Sequence, residues 1–347
     1  MKRFAVVLGL IVCAGAYTFA ETNAQSFMDY MQGTYQEIAT ALSTPMAPTM
    51  TIYNSAGSVY PSDVRDFLGI KIGIGVGVVA SPSLSKYILS GLQTDYMPAT
   101  ASGNSNSSIY SSMVGAFSLV PMPYTMLYAK LGMIKLPILP QFDLGVRIGY
   151  LPDVGPMLGY TENNPANTNN IIAKTGAFHI GAEARSKIID AGIFQIGLNL
   201  SVDFDSGGIE FSQYFIQPLE VPVPGGSGFN QTIDTKYTTG INFGWMGTSV
   251  GGKLIASLNI PILSLYAGVG VNFNVGSVTS KMYTKGEMIV VTETEFFNVE
   301  GVSTIPYYFT EIRVLAGFQL LIINAALEYS VNTGAIAVTI HPITLTF

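Results

Sequence analysis

Two histidines, His179 and His341, and one cysteine, Cys13, leave little room for side-chain chemistry in a chain of 347 residues. A zinc centre needs several Cys, His or carboxylate ligands gathered at set spacings, and no Cys/His cluster of that kind occurs. His179 paired with a serine would make a nucleophile and its base, but no serine stands in a motif that supports such a pair. The run Gly73-Ile74-Gly75-Val76-Gly77 has the spacing of a phosphate-cradling loop, yet no helix follows it and it lies inside an alternating stretch. What remains is a set of charged and polar residues that share one parity within their alternating runs: Lys71, Lys130, Asp143, Arg147, His179, Glu183, Arg185, Asp203, Lys253, Glu311, Arg313 and Glu328. Both signs occur. Glu183/Arg185 and Glu311/Arg313 sit two apart on one face, the spacing of a cross-bridged network. The other reading of the same set is a polar constriction that sorts solutes by size and charge. No cofactor is implied, and no catalytic role is expected of the chain.

The elements that would carry these residues are strands. Leu68, Ile70, Ile72, Ile74, Val76 and Val78 alternate with Gly69, Lys71, Gly73, Gly75 and Gly77. Successive strand side chains point to opposite faces, so one face is an apolar strip and the other is mostly bare backbone. A membrane barrel suits this arrangement, with apolar residues toward lipid and small or polar ones toward the lumen. The pattern recurs through 124–133, 142–150, 178–185, 194–204, 237–245, 254–260, 265–275, 312–319 and 325–331. A last strand from Ala335 to Phe347 has a bulge expected at Pro342. Ile255 and Leu315 break the alternation. Asp205-Ser206-Gly207-Gly208 reads as a hairpin with a short return strand, 209–215. The fold expected is all-β: an antiparallel transmembrane β-barrel of about twelve strands, within a range of ten to fourteen, behind a short N-terminal helix. Tyr150, Trp245, Tyr237, Phe142 and Phe347 fall on the apolar parity near strand ends and read either as interfacial girdles or as ordinary strand packing.

Composition agrees. Charged residues make up 11% of the chain, against roughly 25% in an ordinary soluble domain. Residues 1–20 read as an export signal: Lys2 and Arg3, an apolar core, then Thr18-Phe19-Ala20 before Glu21. The formal charge of −6 becomes −8 when Lys2 and Arg3 leave with that segment, so nucleic acid is not an expected partner. An alternative takes Leu10-Ile11-Val12-Cys13 as a lipoprotein box, with Cys13 lipidated. Residues 21–65 form a helix and lead-in. Phe27, Met31, Tyr35, Ile38 and Leu42 make one apolar stripe, and Pro45 and Pro48 place the helix end near Ser43. That helix would be a cap on one end of the barrel or, less simply, a plug in its lumen. The barrel takes residues 66–347. Long polar loops are expected at 81–111, 152–172 and 279–305 on the outer side, the last with a hairpin of its own, while a Pro/Gly loop at 217–231 comes out on the inner side despite its length. Tight proline turns at 136–140 and 260–264 fall on the inner side.

The chain ends in Thr344-Leu345-Thr346-Phe347. A terminal aromatic after alternating apolar residues resembles the assembly signal of Gram-negative-type outer-membrane barrels. With the export signal and N-terminal helix, the whole resembles the fatty-acid-transporter-like barrels, and also uncharacterised barrels of spirochaetes and Bacteroidetes. The resemblance implies a bacterial outer-membrane location, lipid as a partner, and the barrel-assembly machinery engaged through the strand ending in Phe347. Two functions are consistent with it. One is a channel or transporter for small polar or hydrophobic solutes through the mixed-charge lumen. The other is a structural or surface-exposed interaction barrel with a closed lumen.

Overall fold

The computed structural model describes residues 24–62, 64, 67–80, 122–133, 140–153, 171–222, 230–290 and 293–347. The expected export signal and the 81–111 loop lie outside the described residues, as does most of the 152–172 loop. Among the described residues one helix, α1 (Ala24–Tyr53), precedes eleven strands: β1 (Ile70–Ala80), β2 (Met122–Gly132), β3 (Phe142–Leu151), β4 (Ile171–Ala191), β5 (Phe194–Pro222), β6 (Asn230–Ile260), β7 (Leu263–Val290), β8 (Glu293–Pro306), β9 (Thr310–Leu320), β10 (Ile323–Ser330) and β11 (Ile336–Thr346). Each strand pairs antiparallel with its neighbour in sequence. The exception is β7, whose first half pairs with β9 and whose second half pairs with β8. Strand β1 pairs with β11 and closes the ring. Because β8 and β9 run end to end along β7, they share one position, and the ring has ten positions for eleven strands.

Two-residue turns, Gly192-Ile193, Pro261-Ile262 and Leu321-Ile322, collect at the end that also holds Phe347. The connection between β2 and β3 lies at this end too, while those between β1 and β2, β3 and β4, and β5 and β6 lie at the opposite end. Short periplasmic turns and long outer loops are the order of outer-membrane barrels, so the Phe347 end is the inner end. Around the ring, outward-facing apolar side chains form a continuous belt. Ile72, Ile148, Ile180, Val202, Val250, Val269, Ile312, Leu327 and Ile340 are each 44 to 55% exposed. That much apolar surface turned outward on nearly every strand is the mark of a wall that faces lipid. On the inner face of β1, Gly73, Gly75 and Gly77 lie under the Tyr128, His341 and Tyr124 side chains. A side chain at any of the three would occupy the space those rings fill. The bulge in β11 falls at His341-Pro342, opposite Gly75. Inward-facing residues change there from odd numbers to Thr344.

Several expectations are corrected. Asp205-Gly208 is not a hairpin: β5 runs straight through it, paired on one side to β4 (Asp205 with His179) and on the other to β6 (Asp205 with Gly247). Gly176, Gly208 and Gly244 lie abreast in this band, and pairing along both edges overrides the local turn preference. With that false hairpin removed, the connection between β5 and β6 falls at the outer end with the other long ones. Most of the 217–231 loop is instead strand, β5 reaching Pro222 and β6 starting at Asn230. The segment 279–305 is the β7–β8 hairpin.

Strands β4 to β8 extend well past the belt, whose outer edge lies near Met246 on β6 and Val275 on β7. Beyond that edge the alternation changes meaning. Tyr237, Ile241, Phe243 and Trp245 face inward and are at most 5% exposed, while Lys236, Thr238 and Asn242 face out. Outside is now water, so the apolar parity turns to the interior as in a soluble protein. Tyr237 and Trp245 are therefore core residues, not girdle residues. Tyr150 and Phe347 do face outward, at 64 and 75% exposure.

Helix α1 fills this outer cup. It passes Pro45 and Pro48 without ending and runs ten residues beyond Ser43 to Tyr53. Each proline removes one backbone donor. The Thr44, Thr49 and Thr51 hydroxyls donate to carbonyls one turn back, on Thr40, Pro45 and Ala47. In a buried setting with no water to take over the backbone groups, the helix is the arrangement that keeps them paired. The stripe Tyr35, Ile38, Leu42, Met46 and Met50 packs with Ile209, Ile241, Phe243, Val278, Met282 and Val299 in the main apolar cluster.

Candidate functional site: the filled lumen

Below the helix, residues 54–62 descend through the belt, and the charged strand residues close on them. Eleven of the twelve predicted site residues are at most 5% exposed; His179 is the exception, with 12% of its side chain exposed beside them. The structure gathers them into two clusters. In the first, Glu183 takes Lys130 as an ion partner, with the Arg147 guanidinium 3.9 Å away. Arg147 also pairs with Asp203, and His179 Nε2 stands 3.5 Å from the same carboxylate. Arg185 grips both oxygens of Asp143, at 2.9 and 2.5 Å. Lys71 joins this group through its ring contact, 5.6 Å from the centre of Tyr60. In the second, Glu328 accepts from Lys253 at 2.9 Å and from Arg313 at 3.2 Å, and Arg313 donates to Glu311 at 2.5 Å. The i, i+2 spacings seen in the sequence thus become one direct ion pair, Glu311–Arg313, and one distant pair, Glu183–Arg185 at 4.0 Å.

The lead-in is the common partner of both clusters. Ser58 donates to Glu183 at 2.6 Å, and its carbonyl accepts from Lys253 at 3.2 Å. The Gly57 N–H donates to Glu328 at 3.2 Å, in a left-handed turn (φ 84°) natural to glycine. Arg313 donates to the carbonyls of Ile52 and Ser55 and to the Ser55 hydroxyl. Arg185 reaches the Pro61 carbonyl at 3.4 Å. The Tyr60 ring lies under the Lys130 ammonium, 3.4 Å from its centre, a cation held on a ring face. These contacts satisfy buried charges that would otherwise cost several kcal/mol each to keep from water.

His341, which the sequence left without a role, is part of the same packing. The Asn324 amide donates to the Val59 carbonyl and to His341 Nδ1, and its oxygen accepts from Tyr266. Nδ1 therefore accepts, the ring proton sits on Nε2, and that nitrogen points to the Tyr60 oxygen at 3.0 Å. Asp205 is a second residue missed, having been read as a turn. With its amide turned to donate, Asn54 reaches Asp205 Oδ1 at 2.5 Å while its oxygen accepts from the Thr248 and Ser249 N–H groups. Ile255 and Leu315, the two breaks in alternation, face inward with Val59, Tyr266 and Ala326 and make a small apolar seat under the lead-in. Nothing in the sequence marked Ser55, Ser58 or Tyr60, which lie outside any periodic run.

Counting buried charges among the described residues gives six bases (Lys71, Lys130, Arg147, Arg185, Lys253, Arg313) and six acids (Asp143, Glu183, Asp203, Asp205, Glu311, Glu328). A constriction that selects one ion sign would show an excess of the opposite sign. This set is balanced, six to six. No group of three or more His, Cys, Asp or Glu able to hold a metal occurs among the described residues.

A closed antiparallel ring, an apolar belt of exposed side chains, short turns at one end and a polar filled interior define an outer-membrane β-barrel. No protein-family model matches the chain, and no curated protein matches it. Among solved structures it is similar to the transport unit of the autotransporter AIDA-I from Escherichia coli, at 10% identity over 88% of this chain and 98% of that one, with a TM-score of 0.29. It is also similar to the outer membrane protease OmpT from Escherichia coli, at 10% identity over 82% of this chain and 100% of that one, with a TM-score of 0.33. These likenesses concern the fold alone. They do correct one expectation: a protease stands among the barrels with which this chain aligns, so the expectation that the chain is no enzyme is withdrawn.

Proposed function

We propose that this protein is a closed-lumen outer-membrane barrel that does its work at the outer end, on the wall built by β4–β8 and the helix they enclose. The observation that supports this is the grip on residues 52–61. Seven hydrogen bonds join that short stretch to the charged side chains Glu183, Arg185, Lys253, Arg313 and Glu328. Bonds to charged groups contribute about 1.5–3 kcal/mol each, so withdrawing the stretch costs on the order of 10 kcal/mol. A lumen held shut by that margin does not open spontaneously. Passage of small polar or hydrophobic solutes, the function that a fatty-acid-transporter-like barrel would have, requires a partner or ligand that repays this cost.

Removal of residues 24–64 is the test. The shortened barrel is expected to conduct ions steadily in a planar bilayer, because the space now held by the helix and lead-in becomes water. A folded, shortened barrel that stays silent would show that the lead-in is not what closes the lumen.

A further inference from the structure

The contacts of the lumen segment are ordered along the barrel axis, and the order gives the chain a direction. Tyr35 bonds Thr284 and Gln36 bonds Val302, both beyond the outer edge of the belt. Ser43 meets Ser303, one residue further down β8, and Tyr53 meets the Pro123 carbonyl, near that edge. Ser55 meets Asn272 and Arg313, within the belt. Ser58 meets Glu183 and Lys253, Tyr60 meets His341, and the Ser62 N–H meets Ser257, four residues before the inner turn at Pro261. At the inner end, Leu68 N–H bonds the Gly132 carbonyl, and β1 starts back upward. The chain therefore enters the lumen at the outer mouth and descends to the inner end before the first strand begins.

From this we infer that the start of α1 is displayed on the outer side of the membrane, having been carried there through the lumen of its own barrel. A helix synthesised before β1 and seated above the belt has no other route once the ring has closed around it. The geometry at the mouth fits a displayed end. Among the described residues, β8 pairs above the belt with β7 alone, and an unpaired strand edge invites pairing with other chains. The Gln36 side chain occupies part of that edge, donating to the Val302 carbonyl at 2.6 Å and accepting from the Val302 N–H at 3.1 Å. Gln32, Gly33, Gln36, Glu37 and Thr40 are exposed at this level. The helix start is thus pinned to the outer wall with a polar face turned to solvent. The inference shares the inner/outer assignment of the barrel ends with the proposed function but not the closure of the lumen, which conductance tests separately.

The experiment uses the full chain in intact cells, in a Cys13→Ser background, with a membrane-impermeant maleimide. Gln32→Cys reads the outer mouth. Ile262→Cys, at an exposed inner turn (62%), reads the other end. Gln32→Cys labelled in intact cells, with Ile262→Cys labelled only after the outer membrane is permeabilised, is the expected result. Gln32→Cys labelled only after permeabilisation, or the reverse pattern for the two sites, overturns the inference. Labelling of Gln32→Cys only after full denaturation also overturns it, since the segment would then be enclosed.

Discussion

Replacing Arg313 with leucine is expected to lower the stability of the folded barrel by about 3–5 kcal/mol, the loss that follows when one member of a buried ionic group is removed. Arg313 carries the largest share of the central network: two carboxylates, two carbonyls and one hydroxyl. Without it, Glu311 and Glu328 face each other's charge with Lys253 as the remaining nearby cation. The helix end at Ile52 and the turn at Ser55 lose their anchor in the same step. The single tryptophan provides the readout. Trp245 is 3% exposed and packs edge-on to Tyr53 at 5.9 Å, so its fluorescence follows both unfolding and loss of the helix seat. A urea transition in lipid or detergent that moves by less than the equivalent of about 1 kcal/mol, the worth of a surface ion pair, would show that the network is peripheral.

The second large effect is steric. Gly301 of β8 lies directly against the backbone of α1: a Cβ there would overlap Gln36 N and the Tyr35 carbonyl. Backbone cannot move aside as a side-chain tip can. Gly301→Leu is therefore expected to push the outer half of the helix off the wall, breaking the Tyr35–Thr284 and Gln36–Val302 bonds, while the β7–β8 ladder stays intact. Overpacking of this kind costs about 1–3 kcal/mol, which falls on the helix. Hydrogen exchange should show faster exchange at residues 32–42 and unchanged protection in β5–β7. Unchanged protection of the helix would mean that it is not seated on β8 as the structure has it.

How much of this was legible in the sequence follows from where each signal originates. Alternation is a local property, so the barrel, its belt and the inward parity of Lys71 through Glu328 could be read residue by residue. So could the bulge at Pro342, because a proline inside an alternating run leaves few other arrangements. Tyr237 to Trp245 show the limit. Their alternation is plain, but which face meets apolar surroundings depends on whether the strand has left the membrane at that height, and no local pattern states height. Asp205-Gly208 shows another. It has the composition of a turn, and it remains strand because β4 and β6 pair along both its edges. Pro45 and Pro48 would end a helix in water; enclosed by the strand extension, the helix continues with threonine hydroxyls returning to its carbonyls. The lead-in had no period at all. Ser55, Gly57, Ser58 and Tyr60 become central only because the ring brings Glu183, Lys253, Arg313 and Glu328 around them.

The closure of the lumen is the centre of the proposed function, and single-channel recording on the intact, refolded protein in a planar bilayer addresses it most directly. With residues 52–61 held by both charged clusters, the membrane is expected to stay silent at moderate voltages, protein confirmed as folded by buried Trp245 emission. Steady, long-lived conductance steps from the intact chain would contradict the account, since they would require a continuous water path past Arg313, Ser58 and Tyr60.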